Sequence, residues 1–161
     1  NIVEIYILQE DEDVPVAPNK GLKEALKTRI EDLNVFTDEV RVLDGSIRPI
    51  DIDATITVSR NVDATVVKER VDLAITNVFD IGETEMGEGF NRSTLISAIS
   101  NVDGVSSVDL FKPADDFPSL GVVVDGRIPI DDRPQGVGIN ELFVVGSQNL
   151  RFFLERGNLN T

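Results

Sequence analysis

Apolar and polar residues follow two different periods along the chain, and each period predicts one kind of element. The stretch PIDIDATITVSR (49–60) alternates without interruption, which places its isoleucines on one face of a strand and its aspartates and threonines on the other. Alternation or runs of β-branched residues predict further strands at 2–8, 39–46 and 105–111. The Asp44-Gly45 pair predicts a turn between the strand at 39–46 and the strand at 49–60, which would form a hairpin or a loosely connected pair.

Apolar residues at three- and four-residue spacings predict three helices, each preceded by a side chain that can cap its first turn. The caps are Asn19 for the first helix, Asp63 for the second, and Asn91 or Ser93 for the short third helix. The predicted inward-facing residues are Leu22, Ala25, Leu26, Ile30 and Leu33; Val67, Val71, Ala74 or Ile75, and Val78; and Leu95, Ile96 and Ile99. The polar segment at 9–21 and the glycine-rich acidic segment at 80–91 predict loops.

The order of these elements defines the predicted fold class. The predicted order is strand, helix, strand, strand, helix, short helix and strand, which is the split β-α-β order of ferredoxin-like folds. Residues 1–112 are therefore predicted to form an α+β domain with two main helices and a short third helix. Beyond 112–119, the segments LGVVVDGRIPI and INELFVVGSQNLRFFLE have no helical period and predict C-terminal β-hairpins that extend the sheet or form a small β appendage. Residues 113–161 are predicted to form a β-rich C-terminal extension or small subdomain.

Residue types that the sequence lacks exclude many reaction mechanisms within this chain. Its 161 residues include no histidine and no cysteine, which removes Ser-His-Asp triads, histidine-ligated metals, thiolate zinc sites and cysteine nucleophiles. The net charge of -14 repels phosphate groups, so we expect no nucleic-acid or membrane partner, whereas a basic protein surface is compatible with it. Because Asn1 already stands in a predicted strand, we expect the chain to be a fragment of a longer protein.

Asp51 and Asp53 form a D-x-D pair, which is one way to hold a divalent cation. A strand places both carboxylates on one face, but a hard cation needs further oxygen ligands and no third acid stands nearby in the sequence. The alternation explains both residues as part of a solvated strand face, which is the interpretation we favour.

The other acid-rich segments do not complete a known motif. The segment 82–90 is rich in glycine but lacks the consecutive Lys-Ser/Thr pair that ends a phosphate loop. The segment 11–22 has Val16 and Leu22 where a calcium loop requires glycine and glutamate. We therefore predict no catalytic, cofactor-binding or metal-binding residue, no cofactor, and no small-molecule substrate.

Apolar residues are concentrated near the end of the chain, at 142–145 and 150–154. One interpretation is a strand that is buried on both faces. The alternative is a strand with one face covered by another subunit, because an extended apolar edge favours pairing with a partner. The residues predicted for such a subunit contact are Phe143, Val145, Phe152, Phe153 and Leu154.

Residues 18–112 resemble the C-terminal part of the baseplate J-like family. In that family a helix leads into a strand of the type I-x-P-I-D-I-x-x-x-I-x-V. A second helix, a glycine-containing loop, an S-x-L-I-x-A-I helix and a V-x-G-V-x-x-V-x-L turn and strand follow. The matching residues here are Ile47, Pro49, Ile50, Asp51, Ile52, Ile56 and Val58; Ser93, Leu95, Ile96, Ala98 and Ile99; and Val102, Gly104, Val105, Val108 and Leu110.

This resemblance implies a structural, non-enzymatic component of a contractile phage tail baseplate. The large wedge proteins of the family form dimers and close into a ring around the baseplate hub. The implied partners are therefore a second copy of the chain and other baseplate proteins. The implied location is the tail of the virion, with the host cytoplasm during assembly.

Two other functions are compatible with the residues alone. A metal- or carboxylate-dependent enzyme domain would use Asp51 and Asp53 or the loop at 82–89, and it predicts tight binding of a divalent cation. A free-standing ferredoxin-like module that binds a basic partner predicts association that weakens as salt is added. An apolar subunit contact, in contrast, should survive high salt.

Overall fold

Strands and helices alternate along the part of the chain that the computed structural model describes, which comprises residues 2–12, 14–33, 39–117 and 140–156. The elements are β1 (Ile2–Ile7), β2 (Gln9–Asp11), β3 (Val14–Val16), α1 (Lys20–Leu33), β4 (Glu39–Asp44), β5 (Ser46–Val58), α2 (Ala64–Val78), α3 (Arg92–Ser100), β6 (Val105–Lys112) and β7 (Glu141–Leu154). The predicted α+β class is confirmed, with the two main helices and the short third helix.

The strand predicted from PIDIDATITVSR is β5, which lies in the middle of a three-stranded sheet of order β6-β5-β7. β6 runs antiparallel to the second half of β5. β7 runs parallel to β5 over its whole length, from the pair Ser46 and Glu141 to the pair Val58 and Leu154. The C-terminal part of the chain therefore supplies the longest neighbour of the central strand.

One face of this sheet is covered by α2 and α3, and the main core lies between them. The buried residues of β5 are Ile50, Ile52, Ala54, Ile56 and Val58, and the buried residues of the two helices are Val67, Val71, Ile75, Leu95 and Ile99. The predicted helical stripes of α2 and α3 are confirmed, with Ile75 buried and Ala74 half-buried. Burial of these aliphatic side chains provides most of the driving force for folding.

The predicted caps explain where all three helices begin. The Asn19 side chain accepts a hydrogen bond from the backbone N–H of Leu22 at 2.8 Å. Asp63 and Asn91 accept in the same way from N–H groups in the first turns of α2 and α3, at 2.8 and 2.9 Å. Each bond satisfies one of the donors that a helix leaves unpaired at its N-terminus.

The N-terminal part of the chain forms two smaller sheets. β1 and β4 pair in parallel, and α1 packs against β4. β2 and β3 form a short antiparallel pair within the segment that the sequence predicted as a loop. None of the residues of α1 is fully buried, so its predicted apolar stripe contributes less burial than the stripes of α2 and α3.

Three details of the predicted topology need correction. Of the two arrangements predicted at Asp44-Gly45, the hairpin is wrong, because β4 and β5 lie in different sheets with only Gly45 between them. The ferredoxin-like order is not confirmed, because β1 and β4 pair with each other rather than with β5, β6 or β7. The C-terminal segment expected as a hairpin at 139–155 contains a single long strand instead, β7 (Glu141–Leu154), which extends the sheet as one of the two predicted arrangements required.

Two further expectations concern the C-terminal part of the chain. The segment LGVVVDGRIPI (120–130) lies outside the described residues, so its predicted hairpin stays a prediction. The division of the chain at residue 112 also stays a prediction. β7 follows that position in the chain and lies in the same sheet as β5 and β6.

Candidate functional site

Asp51 lies where the pairing of β5 and β7 is irregular. Ile50 pairs with Val145 and Ile52 pairs with Gln148, so two residues of β7 stand opposite Asp51 alone. The carboxylate of Asp51 accepts hydrogen bonds at this β-bulge from the backbone N–H of Ser147 at 2.9 Å and from its hydroxyl at 2.7 Å. The bulge interrupts the regular backbone hydrogen bonds between β5 and β7, and Asp51 accepts the hydrogen bond of the Ser147 N–H in their place.

Gly146, the other residue of the bulge, allows this close approach. A Cβ atom at this position would lie 2.7 Å from Oδ1 of Asp51 and 2.9 Å from the backbone oxygen of Ile50. Both distances are shorter than real Cβ contacts, and the Ile50 oxygen belongs to the central strand, which cannot move freely. The glycine and the aspartate thus form one structural unit that fixes the register of β7.

Asp53 binds the same neighbouring strand two residues further along. Its Oδ1 accepts a charge-assisted hydrogen bond from the guanidinium of Arg151, and its Oδ2 accepts a longer one from the side-chain amide of Asn149 at 3.4 Å. Ser147, Asn149 and Arg151 therefore form a polar row on β7 beside the aspartates of β5. The prediction of a solvated strand face was incomplete, because both carboxylates are partners of β7.

The protein environment favours the ionised form of Asp51. The hydroxyl of Ser147 contributes most and its backbone N–H contributes next, and together they lower the pKa of the Asp51 carboxyl below its ordinary value of 3.8. No three residues of the types His, Cys, Asp and Glu come together as a metal-binding group in the described part of the chain. The carboxylates that suggested a cation site in the sequence are thus occupied by a hydroxyl, two N–H donors and a guanidinium.

The face of the sheet that carries these aspartates also bears aromatic side chains. Phe111 and Phe153 are both more than half exposed, on the outer strands β6 and β7. The guanidinium of Arg151 lies 5.3 Å from the ring centroid of Phe111, in a cation–π contact. This side of the sheet therefore presents apolar rings beside polar and charged groups.

The five residues predicted for a subunit contact lie in different environments. Phe143 is buried in the core of this chain, and Val145 and Phe152 are half-buried against it. Phe153 and Leu154 are exposed by 57% and 61%. Within this chain the first three residues therefore serve the fold, and only the last two present most of their surface outward.

Four phenylalanines form a cluster that the sequence did not predict. Phe79 stacks on Phe90 with ring centroids 5.4 Å apart, and Phe143 meets the edge of Phe90 at 6.0 Å. Phe117 completes the cluster, and it exchanges two backbone hydrogen bonds of 2.8 Å with Phe90. The cluster ties the end of the acidic segment 80–91 to the core. In the sequence, the available signal for this contact was Phe90, the aromatic residue that directly follows the glycines of the segment 80–91.

An open groove of about 680 Å³ lies beside this cluster, between the end of α2, the segment 80–91 and the start of α3. Its apolar lining includes Phe79, Phe90 and Phe143, and the charged residues among its described lining are Glu83 and Glu88. Among the described helices, none is long and apolar enough to cross a membrane.

The described elements define an α+β domain in which β5, α2, α3 and β6 follow one another around a shared core. Residues 50–128 match the family model of the Baseplate J-like protein C-terminal domain. The resemblance seen in the sequence is thereby confirmed at the level of the family. No curated protein matches the chain.

The family match gives the chain a general role. A baseplate J-like domain indicates a structural component of a phage baseplate, and hence of the tail of the virion. The family is a structural one that is not known for enzymatic activity, and it implies contacts with other baseplate proteins.

Proposed function

We propose that this chain is part of a wedge protein in the baseplate of a contractile phage tail. It would act by binding a second copy of itself and neighbouring baseplate proteins, without catalysing a reaction. The observation that carries this proposal is the family match over 50–128, which covers most of β5 together with α2, α3 and β6. These contacts would form during assembly in the host cytoplasm.

The use of the acidic residues supports a structural role. In an active site, carboxylates with strongly perturbed pKa values face a cleft where they can meet a substrate. Asp51 and Asp53 instead hold β7 beside β5, and Asp63 caps α2. The most conspicuous carboxylates in the sequence therefore have structural partners.

We place the contact between copies at the end of β7, where Phe153 and Leu154 are exposed. Their register partners on β5 are Thr57 and Val58, so the two side chains point to opposite sides of the sheet at its edge. A partner that covers the end of β7 would remove the side chains of Phe153 and Leu154 from water. Burial of each side chain would contribute about 1.5–3 kcal/mol to binding.

The test is the mass of the chain in solution, measured by size-exclusion chromatography with light scattering at rising protein concentration. We expect a dimer that persists in 0.5 M NaCl, because an apolar contact is not screened by salt. The double variant Phe153→Ser/Leu154→Ser should be monomeric. Leu73→Ser is the matched control, because Leu73 on α2 is also exposed by 61% and lies outside the proposed contact.

A strictly monomeric wild-type chain at high concentration would contradict the dimer contact without contradicting the baseplate role. The baseplate role has a separate test, which is immunogold labelling of purified phage tails with an antibody against this chain. Label at the distal end of the tail is expected, and its absence from tails would contradict the proposal.

A further inference from the structure

The groove beside the phenylalanine cluster combines two properties that together specify a ligand. Its floor is apolar, because the stacked rings of Phe79 and Phe90 lie there with Phe143 and with the small side chains of Ala74 and Ala98. Small residues on α2 and α3 leave the space open, and the aromatic rings are held by the core behind them. The floor is therefore rigid and can receive an apolar side chain.

The rim of the groove is acidic. Glu83 and Glu88 line it, Asp80 and Glu85 belong to the same segment, and no lysine or arginine is among the described residues of the lining. The ion pairs found among the described residues involve other carboxylates, such as Asp44 and Asp53.

The hydrogen bonds of the rim stay within the segment. Asp80 accepts from the N–H of Gly82, and Glu88 accepts from the N–H of Glu85. These bonds shape the rim but leave its negative charge without a cationic partner in the described part of the chain.

We propose that this groove binds a segment of a partner protein in which apolar side chains alternate with lysine or arginine. The apolar side chains would pack on the ring of Phe90, and the cations would meet Glu83 and Glu88 at the rim. Charge complementarity selects this occupant, because the charged residues described at the rim are carboxylates, which attract cations and repel phosphate groups. The inference rests on the groove alone and holds whether or not the baseplate role is correct.

The test uses two synthetic nine-residue peptides, one that alternates lysine with leucine and one that alternates lysine with serine. Each is titrated into ¹⁵N-labelled chain in 50 mM NaCl, and binding is followed by amide chemical shifts. The lysine–leucine peptide should shift the amides of Thr84, Gly89 and Thr94, which lie along the groove. The lysine–serine peptide should bind at least about tenfold more weakly, because it has nothing to bury on the floor.

A pair of charge-reversal variants separates the groove from the overall charge of the chain. Glu83→Lys/Glu88→Lys should weaken binding of the lysine–leucine peptide by about tenfold or more. Glu69→Lys/Asp72→Lys is the matched control, because it makes the same change in net charge at exposed positions of α2 that do not line the groove. The control should change affinity by less than about threefold.

Three results would overturn the proposal. Equal weakening by both double variants would show attraction to net charge alone. Equal affinity of the two peptides would show that the floor is not used. Shifts of the groove amides that depend on protein concentration without peptide would show that a second copy of the chain is the occupant.

Discussion

At the scale of single residues, the carboxylate of Asp51 links two strands that are distant in the sequence. It accepts two hydrogen bonds from Ser147 at the one irregular position in the pairing of β5 with β7. A bulge weakens a ladder unless the donor it frees finds another acceptor. Asp51 is therefore the residue that makes this irregularity stable.

Asp51→Asn should destabilise the chain at neutral pH while the fold is retained, because the amide keeps one acceptor oxygen but loses the charge. In the folded chain the pKa of Asp51 is lowered, so as the pH falls the unfolded chain takes up its proton first. The stability that Asp51 contributes is therefore present above its ordinary pKa of 3.8 and is lost as the pH falls through the lower, folded-state pKa.

Urea unfolding of wild type and variant at several pH values measures this contribution directly. The difference between their free energies of unfolding should be largest near pH 7 and should shrink below the ordinary pKa of 3.8. A difference that stays constant down to the lowest pH would show that the charge of Asp51 is not what matters.

Gly146→Ala should destabilise the chain by about 2 kcal/mol, because the new methyl group would overlap the backbone of Ile50 as well as the Asp51 carboxylate. Gly21→Ala provides the control, because the nearest atom to a Cβ there is Oδ1 of Asn19 at 3.4 Å and Gly21 lies within α1. Alanine in a helix is favoured over glycine, so this variant should be more stable than wild type by about 0.5–1 kcal/mol. The denaturant midpoints of both variants measure these changes in stability. Equal changes for the two variants would contradict the close approach at Gly146.

At the scale of elements, α2 shows which part of the fold could be predicted from the sequence. Asp63 and the apolar residues Val67, Val71 and Ile75 are close together in the chain, and their spacing alone determines a helix with one buried face. The alternation in β5 is local in the same way and is confirmed on its buried face. Such patterns predict an element and its buried face from residues that are close together in the sequence.

Ile75→Ala should cost about 2–5 kcal/mol, because Ile75 is fully buried between α2 and the sheet and its removal leaves a cavity. Leu73→Ala on the same helix should change the free energy of unfolding by less than about 0.5 kcal/mol, because Leu73 is exposed. Thermal unfolding of the two variants tests whether α2 faces the sheet as described. Similar losses for both variants would contradict that orientation.

The pairing between elements was not predictable, for a physical reason. Parallel strands are joined by long connections, so nothing close to Asp51 in the sequence indicates that Ser147 is its partner. The Asp44-Gly45 pair is typical of hairpin turns, but here Gly45 leaves room for other side chains. A Cβ on Gly45 would lie 2.8 Å from the side chains of both Leu8 and Met86. These contacts come from distant segments, and the sequence gives no local signal for them.

The candidate site was predictable only in part for the same reason. Phe153 and Leu154 were expected at a contact surface and are exposed, whereas Phe143 was expected there and is buried with Phe90 and Phe117. Hydrophobicity alone does not distinguish an apolar residue in the core from one at an interface. The polar row of Ser147, Asn149 and Arg151 alternates with the apolar residues of β7, and it was the signal that could have linked β7 to the aspartates of β5.

At the scale of the whole molecule, the net charge of -14 acts on every state of the chain. Self-repulsion among the carboxylates opposes the compact state, and salt reduces it as the Debye length falls from about 30 Å at 10 mM to about 8 Å at 150 mM. The melting temperature should therefore rise between these two NaCl concentrations, as measured by calorimetry. A melting temperature that fell with salt would show that attractive ion pairs, such as the one between Arg151 and Asp53, outweigh the repulsion.

The parallel pairing of Ser46 with Glu141 also has a consequence for the order in which the chain acquires its structure. A ribosome must add nearly a hundred residues after β5 before the strand that completes its second edge exists. Until then, β6, α2 and α3 are the described elements that can hold β5, and the row of N–H and C=O groups that pairs with β7 is open to other chains. Contacts between residues so far apart in the sequence also slow folding, so we expect the nascent chain to be prone to aggregation until β7 emerges.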